Sequence, residues 1–453
     1  MNYNKNVLFY LSLIGITIIS ISCKNDDGDI AVITENNTSA TGLVTAVKTF
    51  GGSINDSAQE IVSTSDGGYA VLGFTQSMDG DIIDKQHESY NFWVLKFNQD
   101  NEIEWNKTYG GTGDDKGEDI IQTNDGGYAI LGESFSNNED VSSNNGQNDF
   151  WFAKLDASGN ILWQKSFGYQ GADYGISVIQ TNDSGYLITG VLDVTASNGE
   201  GNTKQNNTNH AGGDYWAIKL DNSGTLQWSK YYGGLLSDTP QNVVQTEDNG
   251  YIMVGSSDSD DTDISNNIGS YDFWVVKISE TGNIEWEKSF GGEEIDDAWS
   301  IVKSSDGNYL IAGDTRSNNV DISNNIGAAD LWLIKISPSG ELLWEKTLGG
   351  TSFDAARDIS ATQDGGFLLA GSSRSSDGDV SQNKGQNDVW ALKINSVGNI
   401  EWEATIGGTN IDYGYGITEL NNKKVVVVGD TYSNDEDITE NKGFSDLLII
   451  NID

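Results

Sequence analysis

The chain has 453 residues, 68 acidic against 25 basic side chains and a formal charge of −43, a balance that argues against a partner made of nucleic-acid phosphates. A single cysteine excludes disulfides within the chain and a metal–thiolate centre. The sequence is acidic, rich in Asn and Gly and holds two prolines, which suits a solvated exterior around β-structure.

Lys5 followed by the apolar run 7–21 has the charged and hydrophobic parts of a secretory signal and is short for a membrane span. The run ends in Ser20-Ile21-Ser22-Cys23, which resembles the cleavage box of bacterial lipoproteins, with a small residue ahead of the acylated cysteine. That resemblance implies loss of residues 1–22, a palmitate-type anchor on Cys23 and contact with the membrane through the anchor alone. Lys24-Asn25-Asp26-Asp27 is similar to the lysine-plus-acid signal that sends lipoproteins of some Gram-negative bacteria to the outer face of the outer membrane. Residues 23–42 then read as the acylated cysteine and a polar tether.

From residue 43 onward one unit is written seven times. Its clearest copy, 293–350, holds four short apolar runs bounded by turn residues, the signature of one four-stranded antiparallel sheet per repeat. The second residue of each Gly-Gly pair or its equivalent falls at Gly52, Gly111, Tyr169, Gly234, Gly292, Gly350 and Gly408, with spacings of 59, 58, 65, 58, 58 and 58. Equal spacing implies equal blades around an axis, with an insertion in the one long repeat. An Asp follows each marker by four residues (Asp56, Asp115, Asp173, Asp238, Asp296, Asp354, Asp412). The first strand is followed by Asp-Gly or Asn-Gly-like pairs, which predict two-residue hairpin turns. Each second strand is expected to end at an unvarying Gly (Gly73, Gly132, Gly190, Gly255, Gly313, Gly371, Gly429), where a neighbour's side chain is expected to come close.

Twelve of the 13 tryptophans recur at two fixed phases, in third strands from Trp93 to Trp390 and in fourth strands from Trp105 to Trp402. Fixed phase makes them packing between blades in preference to sugar-stacking surfaces. Lysines recur in the third and fourth strands, and pairing with blade carboxylates is their expected use. The seventh repeat stops at Asp453 without a fourth strand, whereas 43–52 looks like a fourth strand with no repeat before it. The fold expected is a seven-bladed β-propeller over 43–453 in which the N-terminal strand completes the last blade and removes the open edge.

The string 296–350, with its opening Asp, Asp-Gly then a strand-end Gly, Asp-x-Trp, Lys, Ser-x-Gly and Trp before Leu-Gly-Gly, resembles the bacterial β-propeller repeats called SBBP. The resemblance covers about 43–453 and implies the propeller fold; that family supplies no common catalytic residues, and fold does not give function.

Chemistry is sought in the long loops between second and third strands. Five of them place oxygen side chains at alternate positions and close on an Asp: Asp261, Asp263, Ser265, Asn267 and Asp272; Asn319, Asp321, Ser323, Asn325 and Asp330; Asp377, Asp379, Ser381, Asn383 and Asp388; Asp435, Asp437, Thr439, Asn441 and Asp446; and Asn138, Asp140, Ser142, Asn144 and Asp149. The spacing is that of a calcium loop, though without its central Gly and closing Glu, and the competing reading is a loop bonded to its own backbone. The repeated Asp before each first strand is read as a cap on the turn between sheets in preference to a cation ring. Where the repeats disagree, three residues after that Asp, stand Gln59, Glu118, Ile176, Gln241, Trp299, Arg357 and Tyr415. Trp299, Arg357 and Tyr415, in consecutive blades near the channel, form a candidate platform for a sugar or peptide. His87 and His210 are the two histidines and lie in loops of the first and third blades; they are the candidates for acid–base chemistry should the protein cleave a polysaccharide. The reading as a whole is a surface-anchored, non-catalytic binding protein for an extracellular glycan, matrix component or envelope partner, with a lyase-type propeller enzyme and a structural component of a surface complex as alternatives.

Overall fold

The computed structural model describes residues 40–196 and 213–453, in which there are 28 strands and no helix. In each of the first six repeats four strands pair in chain order into one antiparallel sheet. The fifth blade, Asp296–Lys303, Tyr309–Thr315, Asp330–Ile336 and Leu342–Leu348, shows why. Its second and third strands are apolar at nearly every position and buried from end to end, because both faces of each sheet meet a neighbouring blade. The fourth is half-buried for most of its length, as an outer edge should be.

The seventh sheet runs Asp412–Glu419, Val425–Thr431, Asp446–Ile452 and then Val44–Phe50. Phe50 pairs with Leu447 and Val44 with Ile452, so the N-terminal strand is the missing fourth strand, as the sequence predicts. Beyond the strand, the Thr41 and Leu43 amides donate to the Asp453 carbonyl at 2.8 and 3.1 Å. The ring is closed: Ala58 and Trp93 of the first blade share one apolar cluster with Val426 and Leu447 of the seventh.

Tryptophans hold the blades together in two ways. Third-strand residues such as Trp332 are fully buried against the preceding blade, where Phe273 meets its ring at 4.5 Å between centroids. Fourth-strand residues lie under the last turn of the next blade. Trp286 donates its indole N–H to the Pro338 carbonyl at 3.3 Å, and a Cβ added at Gly340 would sit 3.0 Å from its ring. Gly42, with φ of +81°, lies on Trp402 in the same manner, so the residues before the N-terminal strand act as the turn that the seventh repeat lacks.

Two expectations need correction. The first turns of the blades each hold one left-handed residue, Gly307 in the fifth and Gly67 in the first, instead of two. Bonds from Thr64 N–H to the Gly68 carbonyl and from Gly67 N–H to the Thr64 carbonyl, both 2.9 Å, enclose a three-residue loop: a type I turn closed by a left-handed residue. The repeated lysines divide into two groups. Those of the third strand pair with the Asp of the hairpin turn, as Lys335 does with Asp306 at 2.7 Å and Lys96 with Asp66 at 2.9 Å. Those of the fourth strand reach instead for the next blade's turn, as Lys346 does for the Gly398 carbonyl and Asn399 Oδ1, each at 2.8 Å.

Candidate functional site: the mouth of the central channel

The seven innermost strands line a central channel, and each opens on a fully buried Asp. Asp296 Oδ2 accepts the Gly292 amide at 2.7 Å and the Ser317 hydroxyl at 2.9 Å, while Oδ1 accepts the Thr315 hydroxyl. The same arrangement recurs at Asp56, Asp115, Asp238, Asp354 and Asp412. In the third blade, whose marker is Tyr169, Asp173 accepts the Tyr169 and Asp193 amides at 2.8 Å. These carboxyl oxygens are occupied by the turn between blades, which is the capping role.

Three residues further on, every innermost strand slips its register by one. Ala298 pairs with Gly313 and Ser300 with Ala312, leaving Trp299 opposite no residue of the second strand. The slip recurs at Gln59, Glu118, Ile176, Gln241, Arg357 and Tyr415. The seven positions at which the repeats disagree are thus seven β-bulges, a device that re-aims a side chain. All seven are half-buried and line one cavity of about 150 Å³.

The strand-end glycines belong to the same device. A Cβ on Gly313 would lie 2.0 Å from the Asp297 carbonyl, and one on Gly371 1.9 Å from the Ala355 carbonyl. The neighbouring blade's aromatic, Phe273 at 2.7 Å from that Gly313 Cβ, comes second. The bulge in its own sheet, more than the neighbour, requires the glycine. This was the missed signal: an unvarying Gly inside a strand pattern is a mark of a bulge.

Trp299, Arg357 and Tyr415 come together as the sequence suggests. The Arg357 guanidinium lies over the Trp299 ring at 3.5 Å, and the Trp299 indole N–H donates to Asp314 at 3.0 Å. Burial raises the Tyr415 phenol well above its ordinary range, and Asp430 beside it adds to the shift. Next to each bulge the channel holds Glu60, Asp119, Asn242, Ser300 and Asp358. Asp119 accepts the Val178 amide at 2.7 Å and the Ser177 hydroxyl at 3.0 Å; Asp358 accepts the Ile417 amide and the Ser300 hydroxyl, both at 3.0 Å. Enclosure by the blades pushes Asp119 up to about 6 and, with Glu133 near it, Glu118 up to about 8. Glu60 is raised well above the carboxyl range by burial and then by Asp358 and Asp119. Deeper in the channel the wall turns apolar, with Val62, Ile121 and Ile179. Towards the long loops it stays polar and aromatic, with Phe74, Lys116, Glu133 and Tyr174 around Gln59 and Gln241. The chemically equipped end is therefore the long-loop face.

The alternate oxygens of the long loops serve the backbone. In the fifth blade Asn319 accepts the Glu293 amide at 3.1 Å, Asp321 the Gly291 amide at 3.2 Å and Asp330 the Ile326 amide at 2.6 Å, while Asn325 donates to the Thr315 carbonyl at 3.3 Å. Asp377, Asp379 and Asp388 repeat this, as do Asp435, Asp437 and Asp446, and Asp261, Asp263 and Asp272. These loops staple the preceding interblade turn, and among the described residues no three His, Cys, Asp or Glu side chains surround a point that a metal ion could occupy. The closing aspartates keep one oxygen, Oδ1 of Asp272, Asp330, Asp388 and Asp446, without a hydrogen-bond partner. It faces a glycine Cα, since a Cβ on Gly291 would lie 2.3 Å from Asp272 Oδ1. Burial raises these four carboxyls, Asp272 to about 7 and the other three to about 6.

His87 stands in the first blade's loop, half-exposed, with Nε2 3.1 Å from Glu139 Oε1 of the second blade. It lines a separate cleft with Lys85 and Asp140, away from the bulge residues. His210 and Cys23 lie outside the described residues.

No family model matches the sequence, and no curated protein does. Among solved structures the chain is similar to the Pan2 WD40 domain of Neurospora crassa (8% identity, 87% of this chain and 88% of that one, TM-score 0.47). It is also similar to Sqt1 of Chaetomium thermophilum (9%, 90% and 99%, 0.44) and to BBS1N bound to ARL6DN (8%, 92% and 97%, 0.47). The likeness is one of propeller architecture.

Proposed function

We propose that the protein is a non-catalytic binding propeller, carried on the outer surface of a Gram-negative bacterium by a lipid on Cys23, whose ligand is an extracellular glycan taken at the long-loop mouth of the channel. One observation supports the site above all: a position at which otherwise repeated blades disagree is a bulge, and all seven bulge side chains line a single cavity. A structural spacer would gain nothing from six kinds of side chain aimed at one cavity. The lipid anchor rests on the signal-like run and the sole cysteine after it.

The test is retention of the purified protein on a panel of soluble and insoluble polysaccharides, with assay for new reducing ends or unsaturated products. Retention without new ends supports binding; new ends would make the protein an enzyme. Capture of an envelope protein with no glycan bound would make it a component of a surface complex. Metabolic labelling with a palmitate analogue, lost on Cys23→Ala, tests the anchor.

A further inference from the structure

The sequence holds three arginines, Arg316, Arg357 and Arg374, and all three stand on one arc of the channel mouth, in the fifth and sixth blades. Arg316 and Arg374 lie on the ring of Phe353, each with its guanidinium carbon 5.7 Å from the centroid. Arg357 lies on Trp299 at 3.5 Å. Asp314 lies within the influence of both Arg357 and Arg316, and Arg374 joins Arg316 through the shared ring of Phe353. Stacking uses the face of a guanidinium and leaves its in-plane N–H donors directed outward. Asn387 holds Arg374 by Nε and takes neither terminal nitrogen.

What these arginines lack is also informative. The third-strand lysines meet carboxylates, as at Lys335–Asp306 and Lys393–Glu401. Yet among the described residues no carboxylate oxygen lies within 4.0 Å of an arginine nitrogen, in a chain with 68 acids. Three like charges gathered against aromatic rings, with no carboxylate in contact, are arranged to receive an oxyanion from outside. The facing wall has a different chemistry. Gln59, Gln241 and Asn242 offer amides, Glu118 a carboxyl that burial raises to about 8 and Asp119 a carboxyl acceptor, so donors and acceptors are paired as vicinal hydroxyls require. The chain's net charge of −43 repels any long polyanion, which restricts the ligand to a short one or to a chain end.

We infer that the ligand is a short acidic sugar, its carboxylate or sulfate held by Arg316, Arg357 and Arg374 and its hydroxyls by the amide and carboxyl wall opposite. This deepens the glycan-binding reading and rests on it.

The experiment is calorimetric titration of the purified protein with uronate oligosaccharides, with sulfated oligosaccharides, with neutral oligosaccharides of matched backbone and with an acidic hexapeptide. One of the two acidic sugars should bind about tenfold or more tightly than its neutral counterpart, with affinity falling as salt rises. The uronate and sulfate arms decide which anion is read. Arg316→Gln and Arg374→Gln, at exposed positions, should each weaken that binding several-fold; Arg316→Gln should leave Tm unchanged, whereas Arg374→Gln also takes a donor from buried Asn387. Equal affinity for neutral and acidic sugars, indifferent to both substitutions, would overturn the inference and leave the glycan reading standing. Tighter binding of the peptide with the same arginine dependence would replace sugar with protein as the source of the anion. No heat with any sugar, together with no retention on any polysaccharide, would remove both.

Discussion

At the cap position of the innermost strand all seven blades carry Asp; at the bulge, three residues on, they carry Gln twice and Glu, Ile, Trp, Arg and Tyr once each. The two rings are three residues apart on the same strands and under opposite constraints. A cap carboxylate such as Asp296 is fully buried and holds an amide and two hydroxyls of its own blade, so any substitute orphans three polar groups. A bulge residue has no partner across the ladder and looks into the channel, so the sheet accepts almost any side chain there. The blade's needs are met by one ring, and the other is left free for whatever enters the channel.

That contrast can be broken or sharpened experimentally. Removing residues 40–50 should have the largest effect, since it exposes the edge of Asp446–Ile452 and strips Gly42 from Trp402; we expect loss of the cooperative thermal transition. Gly371→Ala forces a Cβ against the Ala355 carbonyl at 1.9 Å and should cost about 3–5 kcal/mol in denaturant melts, through the bulge and not through the neighbouring blade. Asp296→Ala should cost about 3 kcal/mol by leaving the Gly292 amide and two hydroxyls unpaired, with Asp296→Asn milder. Gln59→Ala, one ring away, should change stability by less than about 0.5 kcal/mol while weakening ligand retention. If the bulge substitution destabilises as much as the cap substitution, the division of labour between the rings is wrong.

The smallest expected effect is on pH dependence. Asp238 and Asp272 are raised from 3.8 to about 7 and Glu118 from 4.5 to about 8. The folded protein therefore holds protons that the unfolded chain releases, and the stability tied to them is complete below about pH 4 and declines as pH rises towards about 8. Tm followed across that range should fall, and Glu118→Gln should flatten part of the slope without lowering Tm at its acid end. A Tm that climbs over the same interval would show these groups ionised in the fold.

Much of the architecture could be read before any coordinates, because repetition turns weak local signals into strong ones: the period, the unvarying Asp and the tryptophan phases led to the blades, and the orphan run at 43–52 led to the closure. The bulges were hidden, since a bulge leaves the pattern of a short strand almost intact and shows only as a Gly such as Gly313 on the paired strand. The two-residue turns were a misreading of the same kind, for Asp66-Gly67 suits a mirror-image turn equally well until hydrogen bonds from the Thr64 and Gly67 amides show otherwise. Trp299, Arg357 and Tyr415 were found by asking where the copies differ, whereas Arg316 and Arg374 were missed because they follow second strands and meet only through Phe353, which belongs to neither.

The pairing of Val44 with Ile452 has a consequence in time. The strand Val44–Phe50 has no partner until Asp446–Ile452 has been made, so ring closure is the most sequence-distant strand pairing among the described residues and cannot be anticipated by any shorter piece. Until then six finished sheets stand with one edge unlatched, and whatever guards the emerging polypeptide must do so for nearly its whole length. A truncated product, by the same token, is never a smaller propeller but an open one.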